Sequence, residues 1–338
     1  MGQAAGAAGQ AVSTCGTMDG FSTPPWTLKP DGMSSLRIGT RGSPLALRQA
    51  HAVKAALAAA DPSLAAPEAI EIVVIRTTGD RVQDRTLAEI GGKGLFTKEI
   101  EDGLLAGTLD LAVHSMKDVP TVLPDGLVID GMLPRADPRD ALVALSRGGL
   151  EKLPRGAVVG TASLRRQAQL LHLRPDLRVI PFRGNVDTRL AKLEAGNAVA
   201  TLLALAGLIR LGKIAVATAV LEPETMLPAV AQGAIGIERR AGDERMALLL
   251  ARISDPATLT AVAAERALLA MLDGSCRTPI AALAELEGDG EIRLRGMVAT
   301  PDGVRLVSGT WTGPAADAVR IGSEAGDELR SRAPFLAT

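Results

Sequence analysis

From Leu36 onward the sequence alternates short β-rich runs with stretches of helical periodicity, and that alternation narrows the fold more than any other feature. Strand-like runs at 36–40 (LRIGT), 70–75 (IEIVVI) and 109–115 (LDLAVHS) are separated by helical patterns over 44–60 and near 96–106. The rhythm then repeats with 157–163 (AVVGTAS), a helix over 164–173, 177–182 (LRVIPF), a helix over 185–195, and a strand over 200–207 (ATLLALAG). Strands separated by helices pair through crossover connections, which predicts two successive α/β units, each with a mainly parallel sheet. PRADPRD (134–140) and LEPETMLPAVAQG (221–233), rich in proline and charge, suit the crossings between them. Beyond residue 255 the pattern changes to a helix over about 258–272, three strand-like runs with PDG (301–303) as a hairpin turn, and a closing helix over about 315–331.

The expected organisation is therefore a disordered tail over 1–35 and an α/β domain over 36–133 joined by about 232–252. A second α/β domain over 138–228 and a small α+β third domain over 255–338 complete it. Hydrophobic residues at 47% and charged residues at 22% are enough to build real cores. The longest nearly apolar run, 198–209, is cut by Arg210 well short of the ~20 residues a bilayer span needs, so it reads as core and no membrane role is expected. Cys15 and Cys276 are the only cysteines, and neither has metal-ligand spacing, so no disulfide framework and no metal site are expected. The tail has neither a basic start followed by an apolar run nor an arginine-rich character, which points to a cytoplasmic product.

Charge is distributed unevenly. Residues 155–213 hold ten Arg and Lys against three Asp and Glu, so this segment carries +7 while the whole chain is at −1. A solvated basic face and an anionic partner both fit such a block. Nucleic acid does not, because a stacking groove needs aromatic platforms and the segment has Phe182 alone in a chain without tyrosine. A small polyanion suits it better.

In open α/β sheets ligands bind beyond the carboxyl ends of the strands, and the arginines gather there. Arg41 follows the first strand, Arg165 and Arg166 follow VVGTAS, and Arg183 follows RVIPF. Two cations in a helix's first turn oppose the positive end of its dipole, a repulsion that an anion relieves, and Ser163 as N-cap is placed to help hold it. Surface ion pairs are the plainer reading of any one of these arginines. GGKGLF (91–96), carrying Lys93, reads either as a lid over a negative ligand or as an ordinary mobile loop; it is not a P-loop. HSMKDVP (114–120) sets Lys117 and Asp118 at a strand's carboxyl end, where an aspartate holds a donor, shuttles a proton, or simply caps a turn. His114 is equally a core or a site residue. Cys276, in the turn DGSCRTP, is an inert thiol or, beside Arg277, a thiolate able to form a covalent bond.

Taken together, RIGTRGSPLAL, GGKGLF, HSMKDVP, DPRDALV, VVGTASLRRQAQL, FRGNVDTRL, AVAQGAIGIE and DGSCRTPI resemble the porphobilinogen deaminase (hydroxymethylbilane synthase) family over about residues 36–338, in order and at the family's spacing. The resemblance implies two α/β domains like those of periplasmic binding proteins, plus a small third domain holding the cysteine loop. It also implies a transferase of tetrapyrrole biosynthesis that condenses four porphobilinogen molecules head to tail with loss of ammonia and hydrolyses the product off as hydroxymethylbilane. The family's dipyrromethane primer, held by a thioether, falls on Cys276. Its catalytic aspartate falls on Asp118, and Lys117, Ser163, Arg165 and Arg166 match positions that hold the primer. Arg41, Ser43, Arg183, Arg189, Arg210, Lys93, Phe96 and Gln232 match substrate-side positions, Gln232 within the inter-domain hinge. Guanidinium forks suit the acetate and propionate carried by each pyrrole. Porphobilinogen is then the only expected partner, with no nucleic acid and no membrane, and a monomer is the expected state. The competing reading is a periplasmic-receptor-type binding protein for a small polyanion, which needs neither Cys276 nor Asp118.

Overall fold

The computed structural model describes residues 35–77, 97–272 and 278–336. β1 (Leu36–Arg41), β2 (Ile70–Ile75), β3 (Leu111–Ser115), β4 (Leu127–Met132) and, from much later in the chain, β10 (Ile235–Arg240) form a five-stranded sheet in the order β2-β1-β3-β10-β4. β1 runs parallel to β2 and β3, whereas β10 runs antiparallel to both β3 and β4. A second five-stranded sheet repeats the plan with β5 (Asp140–Ala144), β6 (Val158–Gly160), β7 (Arg178–Ile180), β8 (Ala200–Ala204) and β9 (Ala219–Leu221) in the order β7-β6-β8-β5-β9. Here β5 is the strand antiparallel to its neighbours β8 and β9. Both sheets are thus mixed rather than simply parallel, because each takes its fourth strand directly from a crossing. A chain that enters at the edge where the parallel strands end must run against them.

α1 (Pro44–Ala60) starts where the sequence allows a helix to start. The Ser43 hydroxyl accepts from the Ala46 N–H, and Pro44, which has no N–H to lose, occupies the first turn. Its buried face, Ala50, Val53 and Leu57, packs with Ile38, Leu111, Val113 and Ile237. α2 (Lys98–Leu105) covers the opposite face through Ile100 and Leu104, which meet Leu109, Ala112 and Leu127. With both faces covered, β3 is buried from Leu111 to His114, and each fully buried aliphatic side chain contributes roughly 1.5–3 kcal/mol.

In the second sheet α3 (Leu164–Leu173) and α4 (Val186–Glu194) follow β6 and β7, with Ser163 and Asn185 as N-caps. The strand expected over 200–207 stops at Ala204. Its partner β5 begins at Asp140, opposite Ala204, so Leu205 has no ladder neighbour beyond that point and the chain coils into α5 (Leu205–Arg210). α6 (Glu244–Ala251) returns to the first sheet, burying Met246 and Leu250 there.

α7 (Pro256–Met271) and α8 (Ala318–Arg332) pack closely against the antiparallel sheet of β11 (Ile280–Leu286), β12 (Glu291–Ala299) and β13 (Leu306–Pro314). A Cβ on Gly322 would lie 2.2 Å from the Ala264 carbonyl oxygen, which is why this helix contact needs glycine. The hairpin turn falls on PDG, with Gly303 at φ +72°. Glu265 of α7 ties this unit to the crossings. Its fully buried carboxylate accepts from Arg135 at 2.6 and 3.1 Å, from the Ala231 N–H at 2.5 Å and from the Ala284 N–H at 2.8 Å. Among the described residues no single helix is long and apolar enough to cross a membrane.

Candidate active site

The strand directions place the site. β1 and β3 end at Arg41 and Ser115, and the antiparallel β10 begins opposite Ser115, at Ile235. In the second sheet β8 ends at Ala204, where β5 begins at Asp140. Both crossings therefore arrive at the same edges as the loops that carry the candidate residues, and the hinge forms part of the floor of the site.

Gln232, buried just before β10, donates from Nε2 to the Pro138 carbonyl at 2.7 Å and to Asp140 Oδ1 at 2.8 Å. Its Oε1 accepts from Lys117 Nζ at 3.4 Å. Asp140 in turn receives Arg165 and Arg166, each at 2.7 Å. The remaining guanidinium arms donate to the Leu227 and Leu202 carbonyls. The arginine doublet is thus relieved by a carboxylate of the chain itself, so its position in the first turn does not by itself require an outside anion. Burial alone raises the Asp140 pKa, but the two guanidinium groups outweigh it and hold the carboxyl well below the usual carboxylate range. Ser163 caps α3, its hydroxyl accepting from the Arg166 N–H at 3.4 Å.

Lys117 and Asp118 stand together in the short 3-10 turn after β3, both opening on the cleft. Crowding by protein desolvates the Lys117 ammonium and draws its pKa down to about 8; Arg165 and Arg166 assist, and Asp118 and Asp140 oppose. Because the side chain opens on the cleft, water there damps this effect, which develops fully when a ligand expels it. Arg189, half-buried on α4, faces the same region. Its pKa is lowered to about 10 by burial and by Arg166 and Arg183, with Asp118 acting against them. Arg189 Nε donates to the Gly184 carbonyl at 3.0 Å, and Lys192 to the Arg183 carbonyl at 3.1 Å. Nε of Arg165, Nε of Arg166 and one Nη of Arg183 are buried without an acceptor among the described residues. Arg210, whose pKa burial lowers, donates to the Gly233 carbonyl at 2.6 Å and so contacts the second crossing.

Arg41, Ser43 and Asp118 line one pocket of about 440 Å³, open mouth included, with Gln49, Thr97, His114 and Ser115. Gln49 is buried, and its amide pairs with the Ser115 hydroxyl at 2.8 and 3.0 Å. Lys93 and Phe96 lie within 78–96 and Cys276 within 273–277, outside the described residues. The flank of the cysteine segment is nevertheless fixed: Arg266 of α7 donates to the carbonyls of Val119, Pro120 and Thr121, the three residues after Asp118. Sequence reading missed Asp140, Gln49, Arg266 and the buried pair His114–Glu238. Asp140 had a signal, since DPRDALV places an acid at the start of a strand. Arg266 had none, being one more charge on an amphipathic helix.

The model for the porphobilinogen deaminase dipyromethane cofactor binding domain matches residues 36–248, and that for the porphobilinogen deaminase C-terminal domain matches 259–331. A porphobilinogen deaminase of Paracoccus denitrificans is 60% identical over 91% of this chain and 97% of its own length. A chloroplastic porphobilinogen deaminase of Oryza sativa subsp. japonica is 54% identical over 89% of this chain and 85% of its own. Among solved structures, an ancestral cationic amino acid solute-binding protein overlaps 64% of this chain and 86% of its own with a TM-score of 0.40 and 14% identity. Matched by its family's two domain models in sequence order, with relatives more than half identical over nearly their full lengths, the chain belongs to the porphobilinogen deaminase family.

Proposed function

We propose that the cleft around Asp118 performs the family's condensation with the residues named above in distinct roles. The reaction joins four porphobilinogen molecules head to tail, each losing ammonia, and the linear hydroxymethylbilane is released by hydrolysis. The observation that supports these roles is the continuous contact chain Lys117–Gln232–Asp140–Arg165/Arg166 beside the exposed Asp118 carboxylate. The residues fit a dipyrromethane. Buried guanidinium N–H groups of Arg165, Arg166 and Arg183 lack acceptors among the described residues and suit its carboxylates, and Asp118 suits its pyrrole N–H groups. When bound through Cys276, the dipyrromethane supplies the free pyrrole α-carbon to which the first ring is joined, and each later ring joins the one before it.

In this reading Arg41, Ser43, Arg183, Arg189 and Arg210 hold the acetate and propionate groups of the incoming pyrrole, Lys93 and Phe96 close over it, and Gln232 lets the hinge sense the primer side. Asp118 gives a proton to the departing amine as the C–N bond breaks. Its carboxylate then stabilises the cationic methylene carbon and takes up the ring proton released as the new C–C bond forms. In the same reading the domains are 36–133 with 232–252, 138–228 and 255–338, a division that the three separate sheets support, and the enzyme works as a cytoplasmic monomer; light scattering and cell fractionation test these last two points. A pure binding protein is not favoured, given the identity to deaminases.

The intact mass of the purified protein tests the assignment. It should exceed the sequence mass by two condensed pyrrole units located by peptide mapping on Cys276, and Cys276→Ser should abolish the excess. Asp118→Asn should keep the fold and the ligand but lose turnover by at least a hundredfold. An unmodified Cys276 that takes up nothing from added porphobilinogen, or full turnover by Asp118→Asn, overturns it.

A further inference from the structure

Three titratable side chains, His114, Glu238 and Glu101, are buried behind the pocket wall, outside the roles proposed above. His114 is the penultimate residue of β3 and lines the pocket that Asp118 also lines. Its strand partner across the ladder is Gly236, and Glu238 lies two residues further along β10, opposite Ala112. Residues 112, 114, 236 and 238 therefore share one face. With no side chain at Gly236, the imidazole reaches diagonally across it, and Nε2 meets Glu238 Oε2 at 2.9 Å. Both side chains are almost wholly enclosed, at 4% and 1% exposure. Met116 occupies the remaining space over the glycine: a Cβ on Gly236 would lie 2.0 Å from its sulfur.

This pair joins two elements with different histories. β3 runs straight into Met116–Asp118, the turn that presents the carboxylate, while β10 arrives from the second crossing through Gln232 and Gly233. The backbone ladder between them ends at Ser115 and Ile235, and just beyond it the Met116 N–H donates to the Ala234 carbonyl at 3.1 Å. Charge supports a specific pairing as well. Glu238 Oε1 is buried with no partner among the described residues, and burial, with the neighbouring Glu238 charge, raises the Glu101 pKa, which a hydrogen bond from Thr97 and then His114 oppose. Two buried acids and one imidazole thus lie together, and among the described residues His114 hydrogen-bonds Glu238.

We propose that His114, held by Glu238, is a positioning residue for Asp118, fixing the catalytic turn against the strand that returns from the hinge. The inference rests on the deaminase reading above. Because the carboxylate-binding arginines are untouched, its loss should act on the proton-transfer steps and not on substrate capture.

The test compares holoenzyme forms of wild type, His114→Ala, His114→Gln and Glu238→Gln by intact mass, melting temperature, and kcat and KM for porphobilinogen. His114→Ala should keep the primer mass and lower kcat at least tenfold with KM within twofold. His114→Gln, which retains an N–H donor for Glu238, should recover most of the loss. If His114→Ala fails to fold, the neutral and isosteric Glu238→Gln should show the same split between kcat and KM. Folded His114→Ala or Glu238→Gln with kcat within twofold of wild type, or with KM and primer loading changed instead, overturns the inference. A wild-type protein that lacks primer and turnover overturns the deaminase reading itself.

Discussion

Neutralising Asp140 is the most informative perturbation. Its side chain is wholly buried and receives Arg165 and Arg166 at 2.7 Å each and Gln232 at 2.8 Å. Asp140→Asn preserves shape, but the amide presents N–H groups to one of two guanidinium cations that are each only 6% exposed. Removing one partner from a buried ionic network costs about 3–5 kcal/mol, chiefly because the remaining charge is left uncompensated. For a chain of this size each kcal/mol shifts the melting temperature by about 1.4 °C, so a fall of about 4–7 °C is expected. The carboxylates of a bound primer would return negative charge to the same guanidinium groups. The fall should therefore be largest in a Cys276→Ser background and visibly smaller in loaded enzyme, as read by scanning calorimetry of both. Linkage fixes the pH range. A carboxyl whose folded pKa is depressed contributes its stability above its unfolded value of about 3.9, and loses it only as pH falls toward the folded value. The gap between wild type and Asp140→Asn should thus be flat between pH 6 and 8. A fall of less than about 1 °C in the apoprotein, or an identical fall in both forms, would refute the argument.

Three further outcomes can be checked. With water expelled by bound ligand, Lys117 loses its charge as pH rises through about 8, so kcat should decline on the alkaline side from there, and Lys117→Arg, which stays protonated, should move that decline upward. Arg266→Met strips the donors from three consecutive carbonyls after Asp118; it should cost about 1–3 kcal/mol in urea unfolding and lower kcat more than it raises KM. Ala231, in the second crossing, adopts φ +57°, a left-handed conformation that costs an alanine about 1–2 kcal/mol. Ala231→Gly relieves that cost, but it adds about 0.4–1 kcal/mol of unfolded-state entropy and removes a buried methyl worth about 0.8 kcal/mol, so stability should change by less than about 1 kcal/mol, and a loss of about 2 kcal/mol or more in urea unfolding would count against strain there.

Periodicity and capping made much of this molecule legible. The helices 44–60 and 164–173 coincide with α1 and α3, because Ser43 and Ser163 stand where helix N–H groups need acceptors and apolar residues then recur at helical spacing. The antiparallel strands β5 and β10 were not legible as such. Direction is not encoded in a run like IGIER; it follows from the edge at which the crossing delivers the chain. The candidate arginines were found by their position after strands, and the structure brings Lys117, Arg165, Arg166 and Gln232 into one network. What sequence concealed were the counter-charges. Asp140 and Glu238 meet their partners across 25 and 124 residues, and no local pattern records such distances.

The position of β10 between β3 and β4 also bears on synthesis. These two strands lie close in sequence yet do not pair with each other; the strand that separates them is translated about a hundred residues after β4 is complete. As the chain leaves the ribosome, β3 therefore presents an unpaired edge throughout the time that the whole second sheet is being made. At ~5–20 residues per second that interval lasts on the order of ten seconds, ample for the second sheet to fold first and deliver β10 as the closing piece. A nascent chain stalled before Ile235 should expose that edge to chaperones, whereas one released past Arg240 should bury it.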